Sequence, residues 1–367
     1  MREAFADNLA ARGEIGAACT AYVDGRCVVD LHGGHRDAAR TRPWTPDTLA
    51  NFYSVGKPIV ALLALQLVEC GELDLDAPVA RYWPEFGAAG KADATVRAAL
   101  SHRAGVPALR ERLRDDAMLD WDCMTRALAR TRPWWVPGTR HVYHTNTYGF
   151  LVGELVRRLT GERPGARLRA CIADPLEADV AFGIGSADLG RCAEIVFHGP
   201  SSPPSFDEVA VIEPEEQRMV ALGYFNPPGF SGIGVVNTAP WRLAEIPSTN
   251  GHGTARGIAR IYDALARADA RVLAGDVLAE ATREQSSGPC PVLEVEVSFG
   301  LGFQVTRPDR PIGRGAHTFG HYGTGGALGF ADPDARLGFG YVMNRVVPRW
   351  RNECNRALVE AVYDALG

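Results

Sequence analysis

Residues 59–68 read IVALLALQLV, ten residues with a single polar side chain among them. That run is too short to cross a bilayer, which takes about twenty residues. A helix apolar on every side must instead be covered by other layers of a globular fold. The chain has the means: 367 residues, 46% hydrophobic and 23% charged, are enough for two domains or one large one. Pro58 fixes where the helix starts, because proline is tolerated in the first turn and disfavoured deeper. Gly71 marks its end. Ser54 therefore falls at the helix N-terminus, and Ser54 and Lys57, three residues apart, share one face.

Lys57 is one of only two lysines, with Lys91, against thirty-seven arginines. An arginine cannot be deprotonated in a protein, whereas a desolvated lysine can. A lysine kept in so arginine-rich a chain is a candidate for its titratable amine. One helical turn from a hydroxyl, that amine can take the serine proton. To be neutral at pH 7 a lysine must drop from about 10.4, at a cost of roughly 4 kcal/mol. Burial and the helix N-terminus both push that way. Free N–H groups at the same end favour an alkoxide or oxyanion. With eleven serines in the chain, the pair alone is a weak signal, and its surroundings must carry the argument.

Charge and composition exclude other classes. The formal charge is −5 with no basic stripe, so nucleic-acid binding is not expected. The first sixteen residues have no apolar signal core, and a cytoplasmic protein with no membrane segment is expected. Eight scattered cysteines form no CxxC pair, so they are expected to be reduced and buried. No zinc-type spacing appears, and neither a metal nor a cofactor is called for.

Along the chain, residues 1–12 read as a short amphipathic helix. Residues 15–23 and 26–33 read as strands joined by an Asp24-Gly25 hairpin. From about 88 to 185 the pattern is helical. Residues 198–250 are rich in Pro, Gly, Ser and aromatics, the composition of a long irregular segment of the kind that forms lids. Residues 251–285 return to helix. Strands follow over residues 292–305, 317–331 and 337–345, with a turn at Asp332-Pro333-Asp334, and a helix over about 350–366 closes the chain. The expected fold is α/β (α+β), with an antiparallel sheet built from both termini and flanked by helices. Residues 1–87 and 286–367 would form this sheet domain. Residues 88–285 would form an inserted, mainly helical domain with the lid-like segment at 198–250.

Two further segments complete a pattern. Tyr143-His144-Thr145-Asn146 stands just before a helix, and His321-Tyr322-Gly323-Thr324-Gly325-Gly326 leads from a strand into glycines. Together with Ser54-x-x-Lys57, in this order and spacing, they resemble the three motifs of the serine β-lactamase and penicillin-binding-protein superfamily, nearest its class C-like esterase branch. The resemblance covers most of the chain and includes residues 21–34, 72–86, 96–107, Asn250-Gly251-His252-Gly253, 298–303 and 329–344. It implies a β-lactamase/transpeptidase-like fold and an acyl-serine enzyme. Ser54 would be the nucleophile and Lys57 its base, Tyr143 the proton relay, and His321 would take the place of the usual third-motif lysine. The N–H groups of Ser54 and Thr324 would form the oxyanion hole, each donor worth roughly 3–4 kcal/mol.

Two departures bear on the substrate. Thr145 stands where class C enzymes carry asparagine, with Asn146 one residue later. His321, only partly charged at pH 7, is a poor substitute for a lysine that meets a carboxylate. The expectation is a carboxylesterase for a neutral small-molecule ester, with Tyr53, Thr145, Asn146, Trp134, Tyr322 and Gly323 binding the substrate. Trp135, Tyr224 and Phe230 are further candidates for an apolar pocket. A transacylase passing the acyl group to an amine or alcohol instead of water is the alternative. A β-lactamase, a D-amino-acid peptidase or amidase, and a non-catalytic binding protein on the same scaffold follow. His102 is read as a helix-end residue and His144 as pointing away from Tyr143. Asn250 and His252 organise a turn, and Arg130, Arg132 and Arg140 form a solvated face.

Overall fold

The computed structural model describes residues 1–199, 202–347 and 349–367. After helix α1 (Arg2–Ala10), strand β1 (Gly16–Val23) turns into β2 (Arg26–Gly34) at Asp24 and Gly25, whose φ angles are 49° and 80°. Two successive left-handed residues give the tight turn whose twist matches the flanking strands. The C-terminal part adds β3 (Ser286–Cys290), β4 (Val295–Phe299), β5 (Gln304–Val305), β6 (Phe319–Tyr322), β7 (Leu328–Asp332) and β8 (Leu337–Met343). The order is β2-β1-β8-β7-β6-β5-β4-β3, antiparallel throughout. Strand β1 pairs with β8 from Ala17 opposite Met343 to Val23 opposite Leu337. The two ends of the chain thus meet inside one sheet, which helices flank, as the sequence implied. Strand β3 was not legible, because its Pro289 reads against a strand. It lies at the sheet edge, where a missing N–H costs no ladder bond.

Helix α2 (Gly56–Glu69) is the apolar run, and its residues 56–65 are all buried. It packs between β6 and helix α3 (Thr147–Thr160), which explains why no face of it is polar. Helix α4 (Ala255–Ala266), expected in the inserted helical part, lies instead across β1, β7 and β8. This helix, from the inserted part of the sequence, thus packs on the sheet formed by the two termini. The reason is a set of glycines. Gly338 and Gly340 alternate along β8 and so share a face, and Gly329 on β7 pairs with Gly340. A Cβ at any of the three would collide with α4 backbone or with the Tyr262 ring. Without side chains there, the helix lies flat on the sheet. Helix α5 (Glu353–Leu366) ends the chain.

Among its described residues, the segment 198–250 holds helices at Phe206–Ala210, Glu215–Phe225 and Ala239–Leu243, joined by turns. Its composition misleads because the loop-type residues sit at helix starts: Ser205 and Glu208 form a reciprocal capping box, and Pro214 and Pro240 occupy first-turn or cap positions. Of the eight cysteines, all unpaired, only Cys19, Cys192, Cys290 and Cys354 are buried, while Cys27 and Cys70 are exposed. Among the described residues no helix is long and apolar enough to cross a membrane.

Candidate active site

Tyr53 adopts φ 51°, a left-handed conformation rare for a bulky residue and typical of functional turns. This reversal feeds a single 3₁₀ turn (Tyr53–Val55) into α2 and sets Ser54 at the helix mouth. Ser54 Oγ and Lys57 Nζ stand 3.0 Å apart, and Nζ also donates to the Ser248 carbonyl at 3.1 Å. Lys57 is fully buried, and no carboxylate among the described residues pairs with it. Burial alone holds its amine well below the ordinary lysine range. A neutral amine suits this geometry: an N–H goes to the Ser248 carbonyl, and the lone pair is left for the Ser54 hydroxyl.

Lys91 shows a different reason for keeping a lysine. It too is buried, and its Nζ donates to the carbonyls of Ala88, Ala129 and Thr131 at 3.0, 3.0 and 2.6 Å. Three acceptors around one point suit an ammonium and not a planar guanidinium. Burial lowers its pKa only to about 8. Rarity thus singled out both lysines, and only the surroundings separate the two uses.

Tyr143 is fully buried with its ring 4.8 Å from Lys57 Nζ, and its hydroxyl has no hydrogen-bond partner among the described residues. Burial pushes the phenol well above its ordinary range, and the neighbouring Ser54 hydroxyl pulls partly back. A histidine pair holds the ring in place. His102, the left-handed residue after helix Val96–Leu100, accepts from the His144 N–H through Nδ1 and packs on Tyr143 with centroids 4.9 Å apart. His144 accepts from the Val106 N–H through Nε2, so its proton is on Nδ1, which donates to the Val142 carbonyl. Both imidazoles thus hold backbone groups of the turn that carries Tyr143. His252 does the same at its turn, with Nδ1 donating to the Asn250 carbonyl.

His321 is fully buried, 5.8 Å from the Tyr143 ring. Its Nδ1–H donates to the Tyr322 carbonyl at 2.5 Å, which leaves Nε2 bare and without a partner among the described residues. Burial, reinforced by Lys57, lowers its pKa to about 3. It is thus a neutral acceptor at pH 7 and not the partly charged group expected. His144, His252 and His321 all sit at about 3 through burial first. Unfolded, each takes a proton near pH 6.5, so below that the unfolded chain binds more protons and stability falls with pH. The loss is up to about 1.4 kcal/mol per pH unit for each histidine. Urea midpoints measured from about pH 7.5 to 5 should fall accordingly, and a flat midpoint would contradict buried neutral imidazoles.

Gly323 packs against the Phe52 carbonyl, where a Cβ would collide. The glycine lets one backbone approach another closely. It brings the start of the 3₁₀ turn Thr324–Gly326 alongside the turn that carries Ser54. The N–H groups of Ser54 and Thr324 have no acceptor among the described residues.

The remaining candidates divide. Tyr53 and Tyr322 are buried at the site, and Thr145 stands beside the Tyr224 hydroxyl. Asn146 does not present a free amide. It donates to the Gly223 carbonyl and Ser231 Oγ and accepts from Thr249 Oγ1, which ties residues 223–231 to 249. Trp134 donates to the Ala108 carbonyl under the Arg110 guanidinium, within the cluster of Val142, Val209 and Met219. Its indole is thus packed on one side and half-buried. Trp135 belongs to the same cluster, and Phe230 packs on Phe150. Two contributors were silent in the sequence. Ser248 acts through its carbonyl, which any residue type supplies. Trp350 packs edge-on against Tyr143 at 5.0 Å and faces His321 at 5.3 Å, although no motif includes it.

The family model for beta-lactamase matches residues 1–363. This chain belongs to the beta-lactamase family. As a member it is 35% identical over 355 residues to the esterase/beta-lactamase LipL of Mycobacterium tuberculosis, across 94% of this chain and 80% of that protein. It is 29% identical over 388 aligned residues to esterase EstB of Burkholderia gladioli, covering 98% and 93%. Among solved structures it is similar to a family VIII carboxylesterase, with TM-score 0.90 and 36% identity over 99% of this chain and 96% of that one. A penicillin-binding protein homolog from Caulobacter crescentus gives 0.87, also at 36% identity and with the same coverage.

Proposed function

We propose that this beta-lactamase-family protein is a serine hydrolase that cleaves carboxylic esters through an acyl-Ser54 intermediate. The observation that carries the reading is Lys57: an unpaired, fully buried amine 3.0 Å from a serine hydroxyl. Lys57 takes the Ser54 proton as Oγ attacks the ester carbonyl. The N–H groups of Ser54 and Thr324 receive the oxyanion, and Tyr143 passes the proton to the departing alcohol. Water then attacks the acyl-enzyme, its proton returning by the same groups. Similarity to esterase EstB and to a family VIII carboxylesterase supports an ester substrate. His321 supports it from the chemical side, because a neutral imidazole offers no charge to a β-lactam or peptide carboxylate.

The test is turnover of 4-nitrophenyl esters of short acids set beside nitrocefin and a D-amino-acid amide, with and without alcohol and amine acceptors. Ester hydrolysis above the rest is expected. Product appearing far faster with an acceptor than by hydrolysis would make the protein a transacylase, and turnover of nitrocefin alone would reverse the reading. Tyr143→Phe should slow ester turnover by about 10²–10⁴-fold, the range for a positioned acid–base group. Unchanged steady-state kinetics in that variant would place the relay on another residue.

A further inference from the structure

Beside Tyr143 and His321 the molecule opens into a cavity of about 670 Å³. Trp350 stands between that cavity and the two rings, in contact with both. The cavity wall carries Arg310, Arg349, Arg351 and Arg356, while Glu294 is the one carboxylate on it among the described residues. Arg310, Arg349 and Arg351 have no ion-pair partner among the described residues, and Arg356 has only Glu360 at 3.9 Å.

Acidic residues outnumber basic ones 44 to 39, and Arg97 and Arg267 each hold two carboxylates. Here four guanidiniums share one concave wall instead. Burial and then the charge of Arg351 hold Arg310 below the ordinary arginine range. Against the burial that raises the Tyr322 phenol, Arg351, Arg310 and Arg356 all pull it down, so their field reaches the residue next to His321. Like charges gathered around a concave surface focus a positive potential. A planar guanidinium matches a carboxylate or phosphate oxygen pair.

We propose that this cavity is an anion subsite, in which Arg310, Arg351 and Arg356, with the exposed Arg349 at its rim, receive a carboxylate or phosphate group borne by the substrate. The inference rests on the esterase reading for what is cleaved, and it revises the expectation of a neutral substrate. That expectation rested on the two motif departures, at Thr145 and His321. The charge absent from the third motif is supplied from the loop before β6 and from the start of α5.

Two measurements test it separately from catalysis and with it. Calorimetric titration of the protein with inorganic phosphate and with succinate at low salt should show binding that weakens as salt is raised. It should weaken by roughly tenfold or more in Arg310→Gln/Arg351→Gln, and the stronger of the two anions identifies the group. Arg356→Gln, at an exposed position, repeats the test if the double variant does not fold. In parallel, kcat/KM is compared for 4-nitrophenyl butyrate against 4-nitrophenyl hemisuccinate, and for ethyl butyrate against the butyrate ester of glycolate. These place the charge on the acyl and the alcohol side in turn. One anionic ester should be preferred by about tenfold or more, with the ratio collapsing in the arginine variant. No anion binding by the unmodified protein, or a neutral ester preferred in both pairs, would overturn the subsite. Anion binding without turnover of any ester would leave the subsite standing and remove the esterase reading.

Discussion

Ser54→Ala should fold as the parent does and accept no acyl group. Ser54 Oγ has one hydrogen-bond contact, to Lys57 Nζ, so its loss costs about 1 kcal/mol of stability. That is small against the several kcal/mol that hold a domain folded. The chemical loss is far larger. Removing the nucleophile of a serine hydrolase lowers turnover by roughly 10⁴–10⁶-fold, leaving only what binding and the oxyanion donors supply. Intact-mass spectrometry after mixing with an activated ester reads this directly. The parent should gain the mass of one acyl group and the variant none. An adduct that persists in the variant would place the nucleophile elsewhere in the chain.

Lys57→Arg keeps a positive side chain and should nevertheless be nearly as damaging, lowering acylation by about 10²–10⁴-fold. Arginine cannot release its proton, so it cannot receive that of Ser54. It is also too long and too planar for a site that places Nζ 3.0 Å from Ser54 Oγ and 3.1 Å from the Ser248 carbonyl. The sign of the pH dependence follows from burial. Lys57 titrates well below an unfolded lysine, so between its folded value and about 10.4 the unfolded chain binds one more proton. In that window stability rises with pH, and a neutral Lys57 lowers stability at pH 7. Lys57→Met should therefore abolish activity and raise stability, by about 0.5–2 kcal/mol, the usual scale of such a trade. Acylation rate against pH for the parent should rise through one ionisation well below the ordinary lysine range and then stay level. A rate still climbing beyond pH 9 would mean an ammonium that remains charged at neutral pH, and the base would have to be another group.

Much of the fold was legible, for reasons that can be traced. Asp24-Gly25 specified its hairpin because two left-handed residues leave few choices. Pro58 and Gly71 bracketed α2 because each imposes a backbone constraint of its own. The segment 198–250 was misread because prolines and serines that start helices look, by composition, like those that make loops. The sheet contact of helix α4 was not legible because its partner surface is a set of absences, the side chains missing at Gly329, Gly338 and Gly340. Candidate substrate residues fared unevenly for a related reason. Asn146 and Trp134 have the right chemistry for a pocket, but their polar atoms are spent on Gly223, Ser231, Thr249 and Ala108.

What the sequence determined by itself is local: a serine and a lysine on one face at the start of a helix that must be buried, with a tyrosine and a histidine motif downstream. Spacing and backbone constraint act within a few residues, so they can be read along the chain. Only the tertiary structure decided which charges survive. It set the Ser248 carbonyl, 191 residues away, against Lys57, took the charge from His321, and gathered Arg310 with Arg351 around an open cavity. Desolvation and the pairing of charges depend on everything within a few ångströms, and residues far apart in sequence supply most of it.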